Sequence, residues 1–543
     1  MANKKIVKGR NNIDEDDAMK LLNEISELEI TGKIDLNYED DADPSADGDA
    51  PQEIIDDTED LDHPDRQISE EHIYSGLIMK SYVLLKQIGY GNNAIVWLAY
   101  RMTNDTYVAV KVQDHQCYID GCREVSIIDR INSFSQINPN VQTYCVKMLD
   151  YFTYKEKNET RYVCSVYDLY AESIHCVLRM GIYKYGLPID VVKNITRQLL
   201  KALDLLHTEP KLSIIHTDVK PQNILFKGIT DYNQNVITIF KKSGFIEKYQ
   251  QLKRENANDE TKLSQEVEIL ALECVQEIRL LKINPHAETL EPDTDSDDER
   301  IIGDYDDYDE DLDCEDEDDD NDRVNDRKQS VNDIKEFLNF KHIYDLYECD
   351  YEFDRVLNNR AKTTDKASVV NDMYIKNCEI ALTDFGNAYV YSSRTVNEIQ
   401  DRRYRAPEVI LDLNYGYGVD IWSVACVVFE LLTGFVLFDP YYEPLTADIH
   451  HLFLLETHLG PMPIKMKQAS KRRNFLFDRQ RKWNIKNVER IKPYSLEQRL
   501  VRQHLFSKKE AHEISAFLLS GLTYEPAKRA TAREMMNHPW LRV

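Results

Sequence analysis

An α+β chain, with an antiparallel sheet preceding a helical part, is predicted by three observations. From Tyr82 onward, "YVLLKQIGYGNNAIVWLAY" and "YVAVKVQ" are β-branched and aromatic runs of strand length, the first containing a glycine turn. From Pro188, "PIDVVKNITRQLLKALDLLH" opens with a proline at its first turn and carries Val191, Ile195, Leu199 and Leu203 on one helical face. A helix-rich segment then runs from near Ser368 through the C-terminal residues.

The 543 residues suffice for two or three domains, but charge is spread too unevenly for all of them to be folded core. A net charge of -29 argues against a general nucleic-acid binder, because the phosphate backbone would repel the molecule; no direct nucleic-acid contact is expected, and basic partners fit better. The ten cysteines form no CxxC pair, which disfavours zinc and a secreted disulfide framework and points to a reducing compartment. The first residues hold no apolar signal core, and the longest apolar run, Val424 to Phe438, is interrupted by Glu430. Neither a secretion signal nor a membrane span is expected, so the chain is placed in the cytoplasm, the nucleus or both.

Residues 1–70 read as a disordered acidic arm, with one short helical pattern in "DDAMKLLNEISELEI". The β-rich part takes residues 71–170 and the first helical part 171–226. The domain pattern is then lost over residues 227–368, far beyond an ordinary loop, so this is an insert. Its first portion, from Ile246 to Lys282, has helix-spaced apolar residues; its second, "DTDSDDERIIGDYDDYDEDLDCEDEDDDNDR", is acid-rich and expected to be disordered. The insert is expected to extend outward from the helical part. Residues 369–543 complete that part.

Several short stretches carry chemistry. "IGYGNNAIV" comprises Ile88, Gly89, Tyr90, Gly91, Asn92, Asn93, Ala94, Ile95 and Val96, and its glycines let the backbone approach a phosphate chain with no Cβ in the way. Glycine pairs at hairpin tips are more often plain turn chemistry, and Ala94 stands where a third glycine would complete GxGxxG. In "VAVK", strand alternation puts Ala109 and Lys111 on one face, where the small alanine leaves room for a nucleotide beside the ammonium. Exposure is the commoner fate of a strand lysine. Glu124, in "GCREVSIID", is a candidate counter-ion to Lys111, although a lone helix carboxylate is more often solvated.

"HTDVKPQN" decides between these readings. Asp218 can accept the proton of a substrate hydroxyl, Lys220 can neutralise charge on a transferred phosphate, and Asn223 can ligate magnesium. A capped turn after a helix would explain the Asp or the Asn, but hardly both with the Lys. In "LTDFGNA", Asp384 is a second hard oxygen ligand on a turn; an isolated Asp-Phe-Gly would more often be only a turn. "RYRAPEVIL" supplies Glu408, and "DIWSVACVVFELLTG" a helix beginning near Asp420.

In order and spacing these stretches resemble the protein kinase superfamily over residues 80–226 and 370–543. The resemblance implies a two-lobed fold, a small β-rich lobe and a large helical lobe with ATP between them. It implies that Ile88 to Val96 and Lys111 bind ATP, Glu124 pairs with Lys111, Asp218 is the base, Asn223 and Asp384 hold Mg2+, and Glu408 pairs with Arg529. Lys220 resembles the serine/threonine branch. "RRYRAPE" with Arg405, "HTD" in place of HRD, and an insert directly after the catalytic loop resemble the SR-protein kinases of the CMGC group. That implies protein substrates, basic or Arg/Ser-rich, and a monomer. The docking groove of that family is acidic, and the matching segment offers Glu443, Asp448 and Glu456. Thr217 carries no charge with which to gather a phosphorylated activation loop, so activity without such phosphorylation is expected, with Ser392, Ser393 and Thr395 as candidate sites. The competing reading is a pseudokinase scaffold that binds basic partners through its acidic segments; it gives Lys111, Asp218, Asn223 and Asp384 no physical purpose.

Overall fold

The computed structural model describes residues 73–281 and 375–542, apart from 92, 157–159, 180–182, 184, 376, 392–398, 441–446 and 478–493. The N-terminal arm, the acidic half of the insert, Asn92, Ser392, Ser393, Thr395 and Glu443 lie outside the described residues.

Strand alternation builds the small lobe. Strands β1 (Ile78–Met79), β2 (Tyr82–Gly91), β3 (Ala94–Arg101), β4 (Thr106–Gln113), β5 (Met148–Lys155) and β6 (Arg161–Tyr167) form one antiparallel sheet in the order β1-β2-β3-β4-β6-β5. Because successive side chains point to opposite faces, Tyr82, Leu84, Trp97 and Ala99 meet Val108, Val110 and Val112 on one side, while Val83, Leu85, Leu98 and Tyr100 form the other. Ala109 faces helix α1 (Tyr118–Ile137), whose Cys122, Val125 and Ile128 are buried with Val163 of β6.

The polypeptide crosses to the large lobe through β7 (Tyr170–Ser173) and α2 (Ile174–Arg179), then enters α3 (Ile189–Thr208). Pro188 is the N-cap of α3, and Val191, Ile195, Leu199 and Leu203 are all buried. Next, β8 (Ile214–Ile215) leads into the turn that holds Asp218, and β9 (Ile224–Lys227) leaves it.

The insert departs from expectation. Helices α4 (Asp231–Lys242), α5 (Phe245–Glu255), α6 (Glu260–Cys274) and α7 (Gln276–Arg279) do not project from the large lobe. They cover the second face of the small-lobe sheet: Val236, Phe240, Val267, Leu270, Ala271 and Ile278 pack with Val83, Leu85, Leu98 and Tyr100. The Phe240 ring lies 5.4 Å from Tyr100 and 5.1 Å from Phe245. Lys86 Nζ donates to the carbonyl of Leu281, just past α7, at 2.7 Å, and Arg279 at the end of α7 donates to the Ser75 carbonyl. Burial drives this placement, since β2 and β3 are apolar on both faces and an uncovered face would leave several large side chains in water, each costing about 1.5–3 kcal/mol.

After the insert, β10 (Ile380–Leu382) pairs with β9, and β11 (Tyr389–Val390) pairs with β8. Helices α8 (Pro407–Ile410), α9 (Gly418–Thr433), α10 (Ala447–Leu459), α11 (Ile464–Ala469), α12 (Arg473–Leu476), α13 (Leu496–Arg502), α14 (Lys508–Gly521) and α15 (Ala532–Met536) complete the large lobe. From Val419 to Thr433 every residue of α9 is buried, and the helix stops at Gly434, whose φ of 79° is the left-handed conformation that closes helices. Glu408 and Arg529 form a two-point ion pair at 2.7 and 2.8 Å with both side chains fully buried, as the resemblance implied. Among the described residues no helix is long and apolar enough to cross a membrane.

Candidate active site

Strand β4 lies between β3 and β6, so Lys111 is held by neighbours on both sides, paired in register with Val96 and Ser165. Its Nζ stands 2.8 Å from each oxygen of Glu124 on α1 and 3.4 Å from Asp384 Oδ1. Burial lowers the pKa of this lysine, but Glu124 and Asp384 outweigh it and hold the ammonium above its ordinary value. Lys111 in turn keeps the Asp384 carboxyl below the usual range. Phe385 is fully buried, its backbone hydrogen-bonds Glu124, and its ring meets His216 edge-on at 4.8 Å. Phe385 thus ties the turn after β10 to α1 and to the loop after β8.

On that loop, Asn223 Nδ2 donates to the Asp218 carbonyl at 2.8 Å and to Asp218 Oδ2 at 2.9 Å. Lys220 Nζ lies 3.2 Å from the same Oδ2. Burial raises the Asp218 carboxyl above its ordinary pKa, and Lys220 pulls the other way. Thr383 N donates to the Asn223 carbonyl at 2.9 Å, which brings Asn223 and Asp384 together across the β9–β10 ladder. With its amide nitrogen on Asp218, the Asn223 side chain has its oxygen Oδ1 as the group that could meet a cation. An amide oxygen and a carboxylate are a suitable pair for a hard divalent ion, which takes its remaining ligands from phosphate and water. A Cβ built on Gly91 would meet nothing within 4 Å, so the hairpin tip has the open space a phosphate chain needs. Gly89, Ala94 and Ile95 are buried, Ile88 and Val96 are half-buried against the core, and Gly91 and Asn93 are exposed at the tip.

Asp420, which sequence reading noted only as the start of a helix, holds this loop in place. Its carboxylate accepts from His216 N at 2.9 Å and Thr217 N at 2.8 Å, and it meets the His207 ring at 2.8 Å. Thr217 needs such support: its φ of 68° is left-handed, costly for a β-branched residue by roughly 1–3 kcal/mol. A carboxylate at 0% exposure in an apolar helix must be paired, and a lone Asp in "YGVDIWSVACVV" is the signal that could have revealed it.

Of the acids that the matching segment offers, Asp448 and Glu456 already have cationic partners. Asp448 is held by Arg402 and Arg472, and Glu456 by Lys467 at 2.7 Å. On α9, Glu430 is 6% exposed and accepts from the Tyr404 hydroxyl at 2.7 Å; burial pushes its pKa up to about 7. A carboxyl raised in the folded state stabilises fully below its unfolded pKa, and that contribution is lost as pH rises through about 7, by about 3 kcal/mol at most. Glu430→Gln keeps an acceptor for Tyr404 and removes the titration. The melting temperature of the variant relative to the parent is therefore expected to rise between pH 5 and pH 8; a constant difference would refute the assignment.

Residues 82–272 and 370–541 match the protein kinase domain. The chain is similar to a serine/threonine-protein kinase of Acanthamoeba polyphaga mimivirus, 48% identical over 87% of this chain and 89% of that protein. It is also similar to protein kinase dsk1 of Schizosaccharomyces pombe, 28% identical over 85% and 81%, and to SRSF protein kinase 3 of Mus musculus, 26% identical over 85% and 86%. The chain belongs to the protein kinase family: it is a serine/threonine protein kinase of two lobes, and it uses ATP with a divalent metal ion. Within that family it is an SR-protein-kinase-like member of the CMGC group.

Proposed function

We propose that this kinase phosphorylates serine hydroxyls in Arg/Ser-rich segments of proteins and does so without phosphorylation of its own activation segment. The observation that carries the reading is the convergence of Asp218, Lys220, Asn223, Asp384 and the Lys111–Glu124 pair on one cleft. Magnesium-bound ATP supplies the phosphoryl group when it is bound. Lys111, fixed by Glu124, orients phosphate oxygens, with Gly89 and Gly91 leaving room for them; Asn223 and Asp384 are the metal ligands. Asp218 takes the proton of the incoming hydroxyl, and Lys220 offsets the charge that develops beside it. The substrate class is supported by the relatives named SRSF protein kinase and by the chain's net charge of -29.

Independence from phosphorylation is supported by how the end of the activation segment is tied. Thr217 Oγ1 donates to the Asn387 carbonyl at 2.9 Å, where a charged residue would otherwise need a phosphate partner. Arg405 donates twice to the Gln400 carbonyl, at 3.1 and 2.8 Å. The buried Gln400 side chain donates to Ser423 Oγ at 2.7 Å and accepts from Ala406 N at 2.9 Å. Hydrogen bonds to backbone and side-chain oxygens thus fasten this segment.

The test is transfer of labelled phosphate from ATP by phosphatase-treated protein to Arg/Ser, Ser/Pro and acidic peptides. Transfer is expected to favour the Arg/Ser peptides by at least about tenfold in kcat/KM, a difference of roughly 1.4 kcal/mol in transition-state binding. Equal use of all three peptides would refute the substrate class, and silence until the protein is phosphorylated would refute the second claim.

A further inference from the structure

We infer that Asp401 is a positioning residue of the acceptor site, acting through Lys220. The inference rests on the roles proposed above for Lys220 and Asp218. Lys220 Nζ lies between two carboxylates, 3.2 Å from Asp218 Oδ2 and 3.6 Å from Asp401 Oδ2. The carboxylate of Asp401 is itself fixed: Asp401 is the N-cap of the 3-10 turn Arg402–Tyr404, and its Oδ1 accepts from Arg403 N at 3.1 Å. On one side of it the Gln400 side chain is buried, with its carbonyl held by Arg405; on the other, Tyr404 is buried. A rigid negative charge therefore faces a flexible ammonium.

The two carboxylates share one cation, and that has a consequence for the base. Asp218 Oδ2 already receives Asn223 Nδ2 at 2.9 Å. An ammonium with no second partner would settle wholly on Asp218 and stand away from the phosphate it must meet. Asp401 draws the ammonium off the base and keeps it at the mouth, where the Lys220 and Asp401 side chains are 22% and 36% exposed. The resulting interaction matters during transfer and not for holding ATP, whose candidate contacts lie around Lys111.

Asp401→Asn separates charge from structure, since asparagine is as good an N-cap as aspartate. Its kcat on an Arg/Ser peptide is expected to fall roughly five- to tenfold, with the KM for ATP and the melting temperature unchanged. Asp401→Glu restores the charge and is expected to recover most of the loss. In a double-mutant cycle with Lys220→Ala, adding Asp401→Asn should cause little further loss, because the two act as one unit. A kcat within twofold of the parent for Asp401→Asn, or losses that multiply in the cycle, would overturn the inference. Asp218→Asn serves as the control: if it kept the parent rate, the underlying reading of the site would fall first, and Asp401 with it.

Discussion

Asp218→Asn is expected to lower kcat by roughly 10²–10⁴ while leaving the KM for ATP within about twofold, the range a positioned general base contributes. The substitution preserves shape, and its side-chain oxygen can still accept from Asn223 and Lys220, which reach Asp218 Oδ2 at 2.9 and 3.2 Å. The groups proposed to hold ATP stay in place, because Lys111 is fixed by Glu124 at 2.8 Å and Asn223 keeps an oxygen at position 218 to donate to. What is lost is only the capacity to take a proton from the acceptor hydroxyl. Steady-state kinetics with an Arg/Ser peptide, beside nucleotide binding measured directly, would decide the matter. A fall in kcat with binding intact supports the base; a kcat within tenfold of the parent would remove Asp218 from that role, whereas no transfer by the parent itself despite ATP binding would favour the scaffold reading.

Phe240→Ala is expected to destabilise the small lobe by about 3–5 kcal/mol, as for other buried aromatic truncations. Phe240 is fully buried in a cluster with Tyr100 of β3, Tyr107 of β4 and Phe245 of α5, at ring distances of 5.4, 6.5 and 5.1 Å. The ring therefore joins insert to sheet, and the cavity left behind opens on the strands that carry the Gly89–Gly91 tip. Urea unfolding should show the loss directly, and the KM for ATP should rise in the same variant. If unfolding were unchanged, the insert helices would not be part of the small-lobe core in solution. Deleting residues 285–327, in the acidic remainder of the insert, is expected to leave catalysis in place.

Much of the site was legible because phosphoryl transfer constrains neighbours in sequence. Asp218, Lys220 and Asn223 lie within six residues of one another, and a turn brings such near neighbours together whatever the rest of the chain does. The helix from Pro188 and the alternation in "VAVK" were equally readable, since each is a local period imposed by one buried face. Asp420 and Asp401 were not readable in this way. Each acts on a partner about 200 residues away, Asp420 on Thr217 and Asp401 on Lys220, and no local pattern marks such a pairing.

The insert shows the same division. That it is an insert, helical and then acidic, followed from composition and periodicity alone. Where its helices dock was decided only by tertiary structure, although a hint was present: "YVLLK" and "IVWLAY" are apolar on both faces, and a strand apolar on both faces must be covered twice. The sequence by itself determined the elements, the catalytic loop and the chemistry it can perform, because those depend on residue types at short spacing. The folded chain alone decided which face the insert covers, which acids are neutralised in pairs, and which carboxylates hold the loop, because burial and charge pairing act between residues that are neighbours only in space.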